Sequence, residues 1–306
     1  MKKTILLLSS IFWIVQLAIA QKPDQAVALV KYNFSHLRDT TNRATIYTEN
    51  MELLIGKNAS VYRSEDQRLH DAKMKKLIAE TANSGTTGMI NFAGIGSPRG
   101  SATKIYQYQA EKKLIRQEKI IDVYLVDEVL PVINWKITSD TTSFGSLHCQ
   151  KATTTFKGRN YEAWFCAALP FRSGPWKLNG LPGLIVEASD TKKEVVWKFA
   201  GLEDASKIAE ESTSVAETGS DADRSKLSSL GKESFSFKTI EVPENAIKIT
   251  EKEFTRLKEA MKKDPQGFIN AAFAGSGSTV KITSVTPPTT PVKNINNNPI
   301  ELIEKP

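Results

Sequence analysis

The sequence predicts a mainly β protein with a minor α component: a curved, half-barrel-like antiparallel sheet with one or two flanking helices. Three observations carry that reading. Short runs of β-branched and aromatic residues recur from 45 to 201, few helical patterns interrupt them, and several runs alternate apolar with polar residues. Alternation suits a sheet with one packed face and one face open to water or a ligand. In Val195-Val196-Trp197-Lys198-Phe199, for example, Val195, Trp197 and Phe199 share a face.

The chain begins Met1-Lys2-Lys3 and continues with an apolar run from Ile5 to Ala20 that ends in Ala18-Ile19-Ala20. A basic start, an apolar stretch and a small-x-small end define a cleavable secretory signal peptide over 1–20. The run is shorter than the roughly 20 apolar residues that span a bilayer, so no transmembrane segment is expected after cleavage. The chain is then expected in the periplasm, or secreted and associated with the outer membrane. Residues 21–274 are expected to form a single domain with a mobile segment near 203–234, followed by an extended Pro/Asn-rich tail over 275–306. Hydrophobic content of 40% and charged content of 25% suit a folded core. The net charge of +7 is spread along the chain, which excludes the clustered basic face of a nucleic-acid-binding protein.

The elements follow in order. Thr45–Gly56 and Ala59–Ser64 read as a strand, a turn and a continuing strand. Residues 65–80 read as an amphipathic helix, with Leu69, Met74, Leu77 and Ile78 on one face and Lys73, Lys75 and Lys76 outward. Ser84 to Thr103 is rich in small residues and contains Gly94-Ile95-Gly96-Ser97-Pro98-Arg99-Gly100, a surface loop rather than a phosphate cradle, because a strand and not a helix follows it. Further strands are expected at 103–109, 112–120, 121–126, 132–138, 148–156, 161–166, 182–189 and 194–201. Residues 203–234 are dominated by Ser, Glu, Asp, Ala and Lys, the composition of a frayed helix or a mobile linker. Thr250-Glu251-Lys252-Glu253 has the capping-box pattern that starts a helix, and Asp264-Pro265 stops it.

Cys149 and Cys166 flank a hairpin whose turn lies near Gly158 and Arg159, at roughly equal distances from it. In an oxidising compartment a cross-strand disulfide between them is the expected state; two buried free thiols and a metal site are the competitors. A metal site is the weakest of these, since two thiols and His148 fall short of four ligands. His36, His70 and His148 stand in unrelated segments, and no serine has a nucleophile-elbow context. Acid pairs such as Asp127-Glu128 are adjacent and would point to opposite faces of a strand. No catalytic, cofactor-binding or metal-ligating set is therefore expected, and no cofactor.

The densest local signal is Pro175-Trp176-Lys177-Leu178-Asn179-Gly180-Leu181-Pro182-Gly183-Leu184-Ile185-Val186. Gly180 and Gly183 permit positive φ or close backbone approach, and Pro182 fixes φ between them. Leu181, Leu184 and Ile185 then supply an apolar plug and the start of a strand. The leading reading is a rigid turn feeding a sheet. The alternative is a preorganised loop that presents Trp176 and Leu181 to a partner.

Together with Trp135-Lys136-Ile137, His148-Cys149-Gln150, Gly158–Phe165 and the closing Asn297-Asn298-Pro299-Ile300-Glu301-Leu302, this stretch resembles the GLPGLI family of exported Bacteroidetes proteins. The resemblance implies a single GLPGLI-type domain and no established activity, with an association with outer-membrane TonB-dependent transport. On this reading the chain is an exported, non-enzymatic binding or accessory protein of the cell envelope. Its expected partners are an envelope or outer-membrane transport protein and an apolar ligand on the sheet. The alternatives are an exported hydrolase whose site assembles only in the fold, and a lipid or apolar-ligand carrier.

Overall fold

The structure, a computed structural model, describes residues 23–83, 100–212, 237–268, 271 and 295–302. The expected signal peptide, the small-residue run at 84–99, and most of 203–234 and 275–306 lie outside the described residues.

Strand β1 (Asp24–His36) is followed by β2 (Tyr47–Gly56), β3 (Ala59–Ser64) and helix α1 (Glu65–Asn83). Next come β4 (Lys104–Tyr108), β5 (Lys113–Lys119), β6 (Val123–Val129), β7 (Lys136–Phe144), β8 (Leu147–Phe156), β9 (Arg159–Cys166), β10 (Leu184–Asp190) and β11 (Val195–Asp204). Helix α2 (Ala205–Ser212), β12 (Thr239–Ile240), β13 (Ile247–Ile249) and α3 (Glu251–Lys263) complete the described elements. The strands form one open sheet in the order β13-β6-β5-β4-β3-β2-β1-β11-β10-β9-β8-β7, with β12 added on β1. The architecture is mainly β, as expected. It is mixed rather than wholly antiparallel, because β13 runs parallel to β6.

β1 is the central strand and has no counterpart among the expected elements. Its pattern is nonetheless a strand's: Ala26, Ala28, Val30, Tyr32, Phe34 and His36 are buried at every second position. It pairs with β2 on one side and β11 on the other, so it joins the two halves of the sheet.

The pleat divides the core between two faces. On the first, Val30, Tyr32, Phe34, Met51, Leu53, Tyr62, Ile105 and Leu114 join the Gly-Pro loop and Trp197 in one cluster. On the second, Leu29, Leu54, Val61, Tyr106 and Ile115 pack with Ala205 of α2, Phe237 and Ile240. Neighbours in sequence thus serve opposite cores, as in Leu53 and Leu54, Val61 and Tyr62, or Leu114 and Ile115. Both faces being buried explains why these strands carry nearly continuous apolar runs.

Helix α1 departs from expectation at Leu69, which is 46% exposed. Polar contacts pin the helix. Arg68 bonds the fully buried Glu52 at 2.8 Å, the Asn50 backbone N–H donates to Asp66, and Ser64 Oγ accepts from the Gln67 N–H in the first turn. Helix α3 begins as its sequence predicts. Thr250 is the N-cap, accepting from Glu253 N while the Glu253 carboxylate accepts from Thr250 N. Phe254 is the helix's buried residue, seated against Tyr124.

The tail expected to be extended has a docked part. Asn297 N and Asn298 N donate to Arg38 O, and Leu302 N donates to Lys157 O. This places residues 297–302 as a strap across the first face.

Candidate functional site

The first face holds a cleft of about 650 Å³. Its floor is aromatic. Phe34 stacks on Trp197 at 5.3 Å, Trp197 stacks on Trp176 at 6.0 Å and 13°, and Phe156 and Tyr161 close the row around Trp176. The Tyr62 hydroxyl accepts from Trp197 Nε1 at 2.8 Å, and burial holds its pKa far above the usual phenol value.

The Gly-Pro loop builds one wall. Trp176 adopts a left-handed backbone (φ 56°), and its carbonyl accepts from the buried Gln107 side chain at 2.9 Å. Trp135 Nε1 donates to Asn179 O, and Asn179 Nδ2 donates to Pro131 O and Lys177 O. Gly180 sits at φ 93°, where a side chain is strained. Gly183 is required by close approach: a Cβ there would lie 2.3 Å from Cys166 O. Leu178, Leu181, Leu184 and Ile185 are fully buried, and Tyr32 Oη donates to Ile185 O across the layer. Leu181 at 1% exposure cannot meet a partner; Pro182 is exposed. Trp176 and its neighbour Lys177 are the loop residues that line the cleft.

The rim is a chain of ion pairs. Lys157 and Lys177 both reach Glu301 of the strap, at 3.3 and 2.8 Å. Lys177 also holds Glu128 at 2.7 Å. Arg116 bonds Glu128, Glu118 and Glu251. Burial opposes the Lys177 charge, but the hydrogen bonds it donates to Glu128 and Glu301 outweigh it and raise its pKa. Burial likewise opposes ionisation of Glu128, yet Lys177 and Arg116 bring its pKa below the usual carboxylate value. A carboxyl so held is an anion at neutral pH, unsuited to donating a proton. Asp127 and Glu128, expected on opposite faces, both contribute to the rim where β6 ends.

Beneath the rim Arg159 anchors the strap. It is 4% exposed and bonds Asp190 at 2.8 Å, Asn298 Oδ1 at 2.6 Å, and the carbonyls of Pro299 and Ile300. Asn298, also buried, donates to Leu37 O and Glu194, and its carbonyl accepts from His36 Nε2 at 2.7 Å. Burial lowers the His36 pKa, with the nearby Arg38 and Arg159 adding to the effect and the Asn298 carbonyl opposing it.

The expected Cys149–Cys166 disulfide is not formed: both are buried free thiols. The hairpin is otherwise as predicted, with Phe156 paired to Arg159 around Lys157 and Gly158, both at positive φ. Burial and the adjoining Cys166 thiol push the Cys149 thiol up to about 12. A thiol held protonated is a poor partner for disulfide exchange. Among the described residues no group of three or more His, Cys, Asp or Glu side chains could hold a metal ion. No described helix is long and apolar enough to cross a membrane.

A family model described as "Protein of unknown function (Porph_ging)" matches residues 156–187, from the hairpin turn through the Gly-Pro loop into β10. No curated protein matches the chain. Among solved structures the chain is similar to PNGF-II in its P21 crystal form, at 10% identity and TM-score 0.44, and in its C2 form, at 11% and 0.45. Each likeness covers 76% of this chain and 32% of that one, so the chain spans about a third of that neighbour's length.

The sequence singled out Trp176 and the Gly-Pro turn but did not group the cleft's other lining residues with them. Phe34, Tyr62, Arg116, Glu128 and Glu301 come from five separate segments. The strap's signal, an Asn-Asn-Pro-Ile-Glu-Leu run, was visible only through the resemblance.

Proposed function

We propose that the chain is a binding protein of the cell envelope, exported by its N-terminal leader, whose ligand occupies the cleft between the Gly-Pro loop, the strap and β2–β6. The observation that carries this reading is the cleft itself. It has the size of a small-molecule site, an apolar floor and a few convergent polar groups. The charged rim disfavours a purely apolar lipid, which would strand Lys157, Lys177 and Glu301 without water. A ligand with an apolar body and a polar end fits both surfaces.

The Gly-Pro loop is then the support of the site and not its contact surface, Trp176 and Lys177 apart. GLPGLI-type membership, the envelope location and a transport-associated partner are parts of the same proposal, motivated by the leader and the family resemblance.

A Thr103→Trp variant tests it, because Thr103 lines the cleft and is only partly buried. Small amphipathic molecules are screened by ligand-detected NMR against both proteins. Binders lost in a variant of unchanged Tm support the reading. Binders retained equally by both would place the site elsewhere.

A further inference from the structure

We propose that Glu301 is an internal stand-in for a ligand carboxylate, so that the cleft takes an amphipathic carboxylic acid whose anionic end displaces Glu301 from Lys157 and Lys177. The inference rests on the cleft being the binding site and adds the chemical class of its occupant.

Glu301 bridges two cations from different elements, Lys157 of the β8–β9 turn and Lys177 of the Gly-Pro loop, at 3.3 and 2.8 Å. Its side chain is 39% exposed, which leaves the bridge open to exchange with solvent. The strap's hold lies elsewhere, in the buried Asn298 and its bonds to Arg159, Leu37, Glu194 and His36. Glu301 can therefore swing away while the strap stays docked.

The other rim carboxylates have partners of their own. Asp127 pairs with Lys113, Glu251 with Arg116, and Glu128 with Arg116 and Lys177. Glu49 accepts from Tyr47 Oη and Ser101 N. The cations are less completely matched. Among the described residues, Lys157 has no carboxylate but Glu301. Arg38, which also lines the cleft, forms no ion pair with another described residue and lies over the Tyr47 ring at 3.3 Å. With Glu301 displaced, no described carboxylate pairs with Lys157 or Arg38 and Lys177 keeps Glu128, all above an aromatic floor. That is a site for an anion attached to an apolar body. Glu301 competes as a tethered group, at the high effective concentration of an intramolecular ligand.

The test compares dansyl-glycine, a fluorescent carboxylate, with dansyl amide, its neutral counterpart, on the full-length wild type and the Glu301→Gln variant. Removing the competitor should tighten dansyl-glycine binding about tenfold and leave dansyl amide unchanged. Adding Lys157→Gln, at an exposed side chain, should abolish the gain. Equal affinity of dansyl-glycine for wild type and Glu301→Gln, with dansyl amide binding both, overturns the inference and leaves the cleft as a site. A gain that persists in the double variant also overturns it. If neither dye binds either protein, the cleft reading itself fails.

Discussion

Arg159 determines whether the strap stays on the sheet. It bonds Asp190, Asn298 and two strap carbonyls from a position with almost no access to water. Removing one partner of a buried ion pair leaves the other charge uncompensated, which costs more than the pair is worth. Arg159→Met should therefore lose about 3–5 kcal/mol in urea denaturation. Arg159→Lys should recover only part, since an ammonium cannot reproduce the planar fork. His36 contributes a pH dependence at the same junction. Its folded pKa is lowered by burial, so the unfolded chain binds the proton more readily. Stability is complete above the unfolded value near about 6.5 and falls as pH drops below it. The slope cannot exceed about 1.4 kcal/mol per pH unit for one proton. Denaturation midpoints across that range should show the loss in the wild type and not in His36→Gln.

At the scale of elements, what the sequence made legible was local. The capping box at Thr250, the β8–β9 hairpin and the rigid turn at Gly180–Gly183 each depend on residues a few positions apart. Helix α1 was legible as a helix but not in its packing, because Glu52 and Asn50, which hold it, lie on β2. The strap and β1 escaped for different reasons. β1 carries the two-residue alternation of a strand from Ala26 to His36. The strap has no secondary structure, and its bonds run to His36, Leu37 and Arg159, more than a hundred positions away. The disulfide expectation came from correct geometry, since the register of β8 and β9 does lead Cys149 toward Cys166. Both thiols are nevertheless free and buried, and burial together with the Cys166 thiol raises the Cys149 pKa. Maleimide should leave both thiols unlabelled in the native protein and label both after denaturation without reductant. One labelled thiol equivalent or none after denaturation would show that they are joined.

For the whole molecule, composition and strand spacing sufficed for a mainly β fold, but not for its order. The pairing of β1 with β11 joins residues such as Phe34 and Trp197, and no local pattern encodes a partner at that separation. The cleft inherits this difficulty, since its floor needs β1, β11 and the Gly-Pro loop in contact before it exists. The two cores explain how so open a sheet is stabilised: β1 to β5 each place residues in both. They also separate the faces experimentally, because the second core has no part in the cleft. The most direct measurement is a heteronuclear NMR titration with dansyl-glycine, following the indole N–H signals of Trp176 and Trp197. The account predicts that both shift in the Glu301→Gln protein, together with Met51 and Ile105 on the same face. Shifts confined to Tyr106, Tyr108 and Ile115 on the second face would contradict it.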